Sequence, residues 1–168
     1  MKKFELTSEF ITDIFGVKLF RIKALVEFGN VKKGDLGGFI EKEENLNQSG
    51  DAWVSGDAKV YGDARVSGNT EVSGDARVSG DAEVYGDARV SGNADYTYIH
   101  GFGSYHRTTT FFKTKEHGIC VVCGCFYGTL DEFRDKVKET HGDSKIAKEY
   151  LMVADLMEFK FMEEMSND

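Results

Sequence analysis

The middle of the chain repeats a pattern of apolar and polar positions every six residues. From Gly50 to Thr97 it reads GDAWVS GDAKVY GDARVS GNTEVS GDARVS GDAEVY GDARVS GNADYT, which is eight consecutive hexads. Within a hexad a small residue and a valine stand two positions apart, so in extended backbone they share one face, while the residue between them points the other way. The pattern predicts one short strand per hexad, with an apolar interior face.

Each hexad begins with Gly-Asp or Gly-Asn. Glycine tolerates positive φ, and Asp or Asn can bond the neighbouring backbone, so this dipeptide predicts a corner between successive strands. The chain has 19 glycines and no proline, which fits this use of glycine. Three such sides close a triangular coil.

This pattern resembles the hexapeptide-repeat left-handed β-helix family, in which about 18 residues form one turn of the coil. The resemblance implies the left-handed coil, since crossovers are otherwise right-handed. It also implies side-by-side assembly as a homotrimer. With 18 residues per turn, three opposite-charge pairs become neighbours and one like-charge pair is an exception. The opposite-charge pairs are Glu71 and Arg89, Arg65 and Glu83, and Arg77 and Asp95; the exception is Lys59 and Arg77.

The flanking segments divide the chain into three predicted parts. An N-terminal β segment covers residues 1–35, the β-helix covers residues 36–97 with an irregular first coil from about Gly34, and a C-terminal module covers residues 98–168. The segments GDLGGFIEKEENL, VSGDA, VYGDA, RTTTFF and CGCFYGTLDEF resemble a set of phage and prophage proteins. That resemblance covers nearly the whole chain and implies no activity.

The C-terminal module is predicted to be a β-hairpin followed by two helices. The β-prone residues 108–112 and 119–126 are joined by the polar turn KTKEHG. Thr129 and Glu132 form a capping box for a helix that ends near His141, and a second helix covers about residues 144–165. The fold class is therefore mainly β with a C-terminal α+β module, and the apolar helix stripes are expected to form core and trimer contacts.

Composition and charge exclude several functions. The formal net charge of -8 makes non-specific nucleic-acid binding a poor hypothesis. No apolar stretch approaches the ~18 residues of a membrane span, so we expect a cytoplasmic protein, in the host cell if phage-encoded, without membrane contact. Residues 50–95 contain no histidine, whereas similar acyltransferases need a histidine base. We therefore expect no enzymatic activity and no cofactor; the acyltransferase alternative would have to use His100 or His106.

The three cysteines, Cys120, Cys123 and Cys125, form one cluster. Without a second CxxC the cluster is only superficially similar to half of a zinc knuckle. The main interpretation is reduced thiols that act as small apolar residues in the hairpin. Zinc held by Cys123, Cys125 and His117 is the alternative.

The segment from Gly101 to Thr110 is the best candidate for a binding site. It offers glycine N–H groups, hydroxyls, the planar guanidinium of Arg107 and, at mildly acidic pH, the charge of His106, which together suit a phosphate or another anion. Tyr98, Phe102 and Tyr105 can stack on a ring. The alternative is a hairpin whose threonines merely suit a strand. The candidate ligand-binding residues are Ser104, Tyr105, His106, Arg107, Thr108, Thr109 and Thr110.

These observations lead to a functional hypothesis. The chain is a phage-type homotrimer, without catalytic activity, whose C-terminal module captures a small anionic, nucleotide-derived ligand and thereby sequesters a host antiviral signal. The first alternative is a structural or protein-binding accessory whose acidic surface docks a host protein, and an acyltransferase-like enzyme is the second.

Overall fold

The computed structural model describes residues 1–165. Strands predominate and the two helices follow them at the C-terminal end, which confirms the mainly β class and the two-helix module. The chain divides into two compact units, Met1–Asn93 and a second that begins at Ala94. Within the described residues no helix combines the length and the apolar character needed to span a bilayer.

The first unit starts with an antiparallel hairpin. Strands β1 (Phe4–Thr12) and β2 (Lys18–Ala24) pair with each other, and β3 (Leu36–Ile40) continues the sheet beside β2. The Asp13 carboxylate accepts hydrogen bonds from the N–H groups of Phe15 at 2.9 Å and Val17 at 2.8 Å, which closes the turn. This leaves Ile14 92% and Phe15 84% exposed at the hairpin tip.

The hexads form a ladder of two-residue strands that pair in parallel. Trp53 is aligned with Glu71 and Arg65 with Glu83, which confirms the 18-residue register. The pairing produces three stacks, in the orders β3-β5-β8, β4-β7-β10 and β6-β9. The strands are β4 (Trp53–Val54), β5 (Lys59–Val60), β6 (Arg65–Val66), β7 (Glu71–Val72), β8 (Arg77–Val78), β9 (Glu83–Val84) and β10 (Arg89–Val90).

The ladder interior is apolar, as predicted, because the alanine and valine columns are buried. On the outer face the predicted charge neighbours are present, with Arg89 ion-paired to Glu71 and Lys59 aligned with Arg77. Each such opposite-charge neighbour stabilises a sheet by roughly 0.2 to 1 kcal/mol. Asp95, expected beside Arg77, forms an ion pair with Lys113 at 2.9 Å.

The first turn of the ladder is irregular, as expected, and it is longer than the others. Ile40 is aligned with Val60 and Leu46 with Val66, an offset of 20 residues rather than 18. Since the 18-residue offset is restored at Trp53, the two additional residues lie between Leu46 and Trp53. Gln48 lies in this insertion, and its side-chain oxygen accepts the backbone N–H of Lys3 at 2.8 Å, so the insertion holds the start of β1.

Two buried polar side chains complete the hydrogen bonds at the start of the ladder. A ladder N–H donates to the carbonyl 17 residues later, as from Ser55 to Val72 at 2.8 Å, so the first hexads need other donors for their own carbonyls. The Lys3 ammonium donates to the carbonyls of Gly50 at 3.2 Å and Ala52 at 2.8 Å. The Asn45 amide donates to the equivalent carbonyls of Gly62 at 3.1 Å and Ala64 at 2.9 Å.

The other end of the ladder stops before the eighth hexad. The Asn93 side-chain oxygen accepts the N–H of Arg77 at 2.9 Å. It thus takes the place of the carbonyl that a further strand of the ladder would supply. The eighth hexad has Tyr96 where earlier hexads have valine, and it leaves the parallel ladder. Its last residues, Tyr96 and Thr97, pair antiparallel with Phe112 and Phe111. The predicted boundary at residues 97 and 98 therefore lies inside a strand of the second unit.

The second unit is a four-stranded antiparallel sheet with two helices. The strands β11 (Tyr96–Phe102), β12 (Arg107–Lys113), β13 (Ile119–Cys123) and β14 (Phe126–Thr129) pair in sequence order, and the helices are α1 (Leu130–His141) and α2 (Lys145–Met165). The predicted hairpin is confirmed as the pairing of β12 with β13, but its second strand ends at Cys123 and not at Phe126, because the chain turns there and Phe126 begins β14. The capping box is confirmed: Thr129 and Glu132 each bond the other's backbone N–H. Phe111, Phe133, Tyr150 and Phe161 belong to its buried core.

Burial of Lys3 predicts a pH-dependent stability. Desolvation lowers its pKa from 10.5 to about 8, so between these values the unfolded chain binds more protons than the folded chain. The stability that Lys3 contributes therefore rises as the pH rises from 8 towards 10.5. Thermal unfolding monitored across this range should show the rise, and Lys3→Met should remove it while costing about 1 to 3 kcal/mol at neutral pH through the lost carbonyl bonds.

Lys2→Met is the matched control, because Lys2 is exposed and pairs only with the exposed Glu43. It should retain the pH dependence and unfold within about 0.5 kcal/mol of the parent. An equal pH dependence in the parent and in Lys3→Met would contradict a buried Lys3 that donates to the first carbonyls of the ladder.

Candidate functional site

A cavity of about 400 Å³ opens in the second unit. It is lined by the loop between β11 and β12 together with the first residue of β12, by the turn between β13 and β14 with the residues on either side of it, by the C-terminal part of α1, and by one residue of α2. Pockets of roughly 300 to 1,000 Å³ are typical of small-molecule sites. The cavity is therefore large enough for a ring with an attached charged group.

Arg107 places a positive charge at this cavity. It begins β12, and its guanidinium carbon lies 4.7 Å from the centre of the Tyr105 ring, which also lines the cavity. Stacking on an aromatic ring orients the planar guanidinium while leaving its N–H groups free to donate. Within the described part of the chain no carboxylate forms an ion pair with Arg107. The guanidinium is thus a charge that an anionic ligand can neutralise.

Aromatic rings form the apolar part of the cavity. The Phe133 ring lies 5.6 Å from the rings of both Phe126 and Tyr150, and the contact with Tyr150 is edge-to-face. His141 is tilted over Tyr150 at 6.0 Å. All four side chains line the cavity. Such a wall presents ring faces and edges that suit a flat, uncharged part of a ligand.

A chain of weak hydrogen bonds supports this wall. The Thr109 hydroxyl donates to Cys123 Sγ at 3.3 Å, and the Cys123 thiol donates to the Tyr150 hydroxyl oxygen at 3.7 Å. Burial, together with the neighbouring Cys123, raises the pKa of Tyr150 to about 12. The phenol is therefore neutral at physiological pH, and Tyr150 adds no negative charge to the cavity.

Two glycines allow the loops to approach the cavity side chains. A Cβ atom at Gly103 would collide with the Tyr150 hydroxyl, and one at Gly124 would collide with the Arg107 guanidinium. Both glycines also have positive φ, +78° and +60°, which L side chains rarely adopt. These glycines thus leave the space that the Tyr150 hydroxyl and the Arg107 guanidinium occupy.

The structure separates the predicted site residues into two groups. Ser104, Tyr105 and Arg107 line the cavity. The other four lie elsewhere: His106 donates to the Gly101 carbonyl at 3.0 Å, and Thr108 lies 3.1 Å from His100. Thr109 and Thr110 are buried in the sheet. Thr109 supports the cavity wall from behind through its bond to Cys123, and neither threonine lines the cavity.

Sequence reasoning missed the contribution of α1. Phe133, Lys136, Val137, Thr140 and His141 follow the i, i+3, i+4 spacing of one helix face, and all five line the cavity. The sequence feature that could have indicated this face was the presence of the polar residues Lys136 and Thr140 beside the apolar residues Phe133 and Val137 of α1, since a helix face that only packs in a core needs neither. Only tertiary structure brings this face next to Arg107.

Among the cations that line cavities, Arg107 is better placed than Lys136 or Arg65 to bind an anion. Lys136 pairs with Glu139 at 2.9 Å on an exposed surface, so its charge is already partly neutralised. A larger groove of about 670 Å³ lies along the ladder, but Glu43, Glu44 and Glu83 line it beside a single arginine. An anion is better accommodated beside Arg107 than beside these three carboxylates.

The cysteines occupy three different environments. Cys120 is buried, Cys123 is half-buried and Cys125 is exposed. Among the described residues no group of three or more histidine, cysteine, aspartate and glutamate side chains is arranged to hold a metal ion. The zinc alternative through Cys123, Cys125 and His117 therefore has no geometric support.

Comparison with known proteins adds no assignment. No protein-family model matches the chain, and no curated protein matches it either.

The raised pKa of Tyr150 predicts a late step in an alkaline titration. Tyr150 should ionise near pH 12, and ultraviolet spectroscopy of tyrosinate should detect this step. Because the folded-state pKa lies above the ordinary value of 10, the stability linked to Tyr150 should be lost as the pH rises from 10 through 12. Tyr150→Phe should remove the late step, whereas Tyr105→Phe, at an exposed tyrosine, should retain it. A late step that persists in Tyr150→Phe would refute the assignment.

Proposed function

We propose that the protein is a homotrimeric, phage-type binding protein without catalytic activity, which captures a small anionic, nucleotide-derived ligand in the cavity beside Arg107. The observation that carries the proposal is the guanidinium of Arg107, stacked on Tyr105 and without a carboxylate partner in the described part of the chain. In a chain of net charge -8, such an uncompensated cation at a cavity favours an anionic ligand.

The aromatic wall supports a ligand that has a ring in addition to its charge. Inorganic phosphate would use Arg107 alone and would make no contact with the aromatic side of the cavity formed by Phe126, Phe133 and Tyr150. A nucleotide-derived molecule offers a phosphate for the guanidinium and a flat base for the rings. The neutral phenol of Tyr150 does not repel the phosphate.

We propose a left-handed β-helix for the ladder and a trimer for the assembly. The 18-residue parallel register and the buried alanine and valine columns support a coil of the hexapeptide-repeat kind. The handedness and the trimer come from the resemblance to that family. A ladder with such small interior residues buries little apolar area per residue, so contact with further copies would stabilise it.

The resemblance to phage proteins supports a use for such binding. A phage protein that binds a nucleotide-derived signal without chemical change would lower the free concentration of that signal in the host cytoplasm. Sequestration of a host antiviral signal requires only affinity and abundance, and a cavity without an assigned catalytic group is sufficient for it.

Isothermal calorimetry with a panel of cyclic nucleotides and ADP-ribose derivatives tests the proposal. We expect at least one to bind, and Arg107→Ala to weaken that binding about 10- to 100-fold, as loss of a charged hydrogen-bond donor does. Lys136→Ala should weaken it less, because Glu139 already pairs with Lys136. Lys138→Ala, which removes the same charge outside the cavity two positions away, is the matched control and should bind like the parent. No heat with any compound, at protein concentrations well above micromolar, would contradict the proposal.

A protein-binding accessory is the second candidate, and the tip of the β1–β2 hairpin favours it. Ile14 and Phe15 project two large apolar side chains into solvent, which is costly unless a partner covers them. A pull-down from host lysate should then recover a specific protein with the parent chain and not with Phe15→Ser. Equal recovery with both chains, or no specific protein, would contradict a docking role for the tip.

A further inference from the structure

Helix α2 carries a second apolar face, opposite the one that packs on the core. Tyr150, Ala154, Met157 and Phe161 are buried on the inner face. On the outer face Met152 is 72% exposed, Leu156 58%, Phe159 62% and Met162 59%. Single exposed apolar residues are ordinary on a surface, but a contiguous row of four large ones is typical of an interaction surface. We call Met152, Leu156, Phe159 and Met162 the outer stripe.

The spacing of the outer stripe fits a helix partner. Met152, Leu156 and Phe159 are separated by four and then three residues, which is the seam spacing of helices that pack side by side with knobs in holes. Their side chains lie along one line of the helix, and Met162 extends the line at one edge. A partner that presents the same spacing would interdigitate with them, and a second copy of α2 presents it by definition.

Charges on the two flanks of the stripe are complementary for parallel copies. One flank carries Lys148 and then Asp155, and the other carries Glu149 and then Lys160. When two α2 helices run in the same direction, one flank of the first faces the opposite flank of the second. Lys148 then faces the partner's Glu149, and Asp155 faces the partner's Lys160. Within its own chain Asp155 also pairs with Arg134 at 2.9 Å and Glu149 lies 4.0 Å from Lys145, so the contacts with the partner extend existing ion pairs and are attractive.

An antiparallel arrangement lacks this match. If two α2 helices cross near Leu156 in opposite directions, each flank faces its own equivalent in the other copy. Asp155 would then lie near the partner's Asp155, and since each already pairs with Arg134 of its own chain, this arrangement gains no new attractive contact there. The flank charges therefore select the parallel direction.

We propose that the outer stripe is a self-association surface through which α2 packs in parallel against α2 of other copies of this chain. The inference rests on the homotrimer in the proposed function and specifies its contact: a parallel bundle of three α2 helices, with the stripe at its centre. A closed cyclic trimer requires this parallel direction.

Light scattering of the full chain tests the interface with the double variant Leu156→Glu/Phe159→Glu. We expect the parent to be a trimer and the variant a monomer, with the apparent dissociation constant between chains raised at least about 100-fold by the loss of two apolar contacts and the added charge repulsion. Both residues are exposed, so circular dichroism should show an unchanged fold, and Phe159→Ser is a milder second variant if the double variant is unstable. Ile14→Glu/Phe15→Glu, at exposed apolar residues of the first unit, is the matched control and should remain trimeric.

Two further variants test the direction of packing. Lys160→Glu should weaken the trimer, and Asp155→Lys/Lys160→Asp, which exchanges the charges, should be closer to the parent. Met152→Cys should form an inter-chain disulfide under mild oxidation, above the background from the native cysteines, because parallel helices place residue 152 beside its equivalent. Absence of that disulfide, or no effect of Lys160→Glu, would refute the parallel direction.

The outcomes separate this inference from the proposed function. A trimer that survives in both stripe variants refutes the stripe while the homotrimer stands. A parent dimer that Leu156→Glu/Phe159→Glu converts to monomers supports the stripe and refutes the trimer, and a monomeric parent refutes both. Calorimetry with the nucleotide panel tests the proposed ligand separately, because no residue of the outer stripe lines the cavity.

Discussion

The first unit depends on backbone hydrogen bonds between residues about one turn of the ladder apart. The hexad strands are two residues long, so no such strand can be stable alone, and amides such as those of Trp53 and Ser55 donate to a carbonyl 17 positions later in the chain. Such an arrangement has two open ends at which the bonding pattern must stop. The start is closed by Lys3 and Asn45, which supply side-chain donors where no earlier turn exists, and by the N–H of Phe39, which donates to Ala58 at 2.9 Å. At the other end Asn93 supplies an acceptor.

Much of the structure of this unit can be predicted from the sequence, because the same six-residue pattern of inward-facing and turn residues is repeated along it. Valine and alanine recur at the positions that face inward, and glycine recurs where the backbone turns. The 20-residue first turn was harder to predict, because Leu46 stands six residues before Ala52 and so falls on the hexad grid, yet in the structure it is aligned with Val66, at a valine position. The capping role of Lys3 and Asn45 was not predictable either, since a lysine near the N-terminus is typical of a solvated residue until tertiary structure buries it.

In the candidate site, too, the features that depend on neighbouring residues in the sequence were predictable, and those that depend on tertiary packing were not. Tyr105 and Arg107 are close neighbours along the chain, and their chemistry is recognisable from the amino-acid sequence. Phe133, His141 and Tyr150 reach the same cavity from two helices, and nothing in their local sequence shows which sheet residues they will meet. Residue type alone made His106 and Thr110 candidates for ligand binding. In the structure neither lines the cavity, and Thr109 and Thr110 are buried in the sheet. Residue type therefore predicts the kind of chemistry, and tertiary packing decides which residues share a cavity.

The repeated register of the ladder has a consequence for how such a chain can vary. The hexads between the two closed ends are nearly interchangeable, because each turn presents the same backbone groups to the turn on either side. Insertion or deletion of whole hexads would keep the inward-facing residues inward and would leave Lys3, Asn45 and Asn93 with equivalent partners. A change that is not a multiple of six residues would put inward-facing residues at corners. The ladder therefore tolerates a change in length only in steps of one hexad, and each such step moves its two closed ends apart or together by a fixed amount.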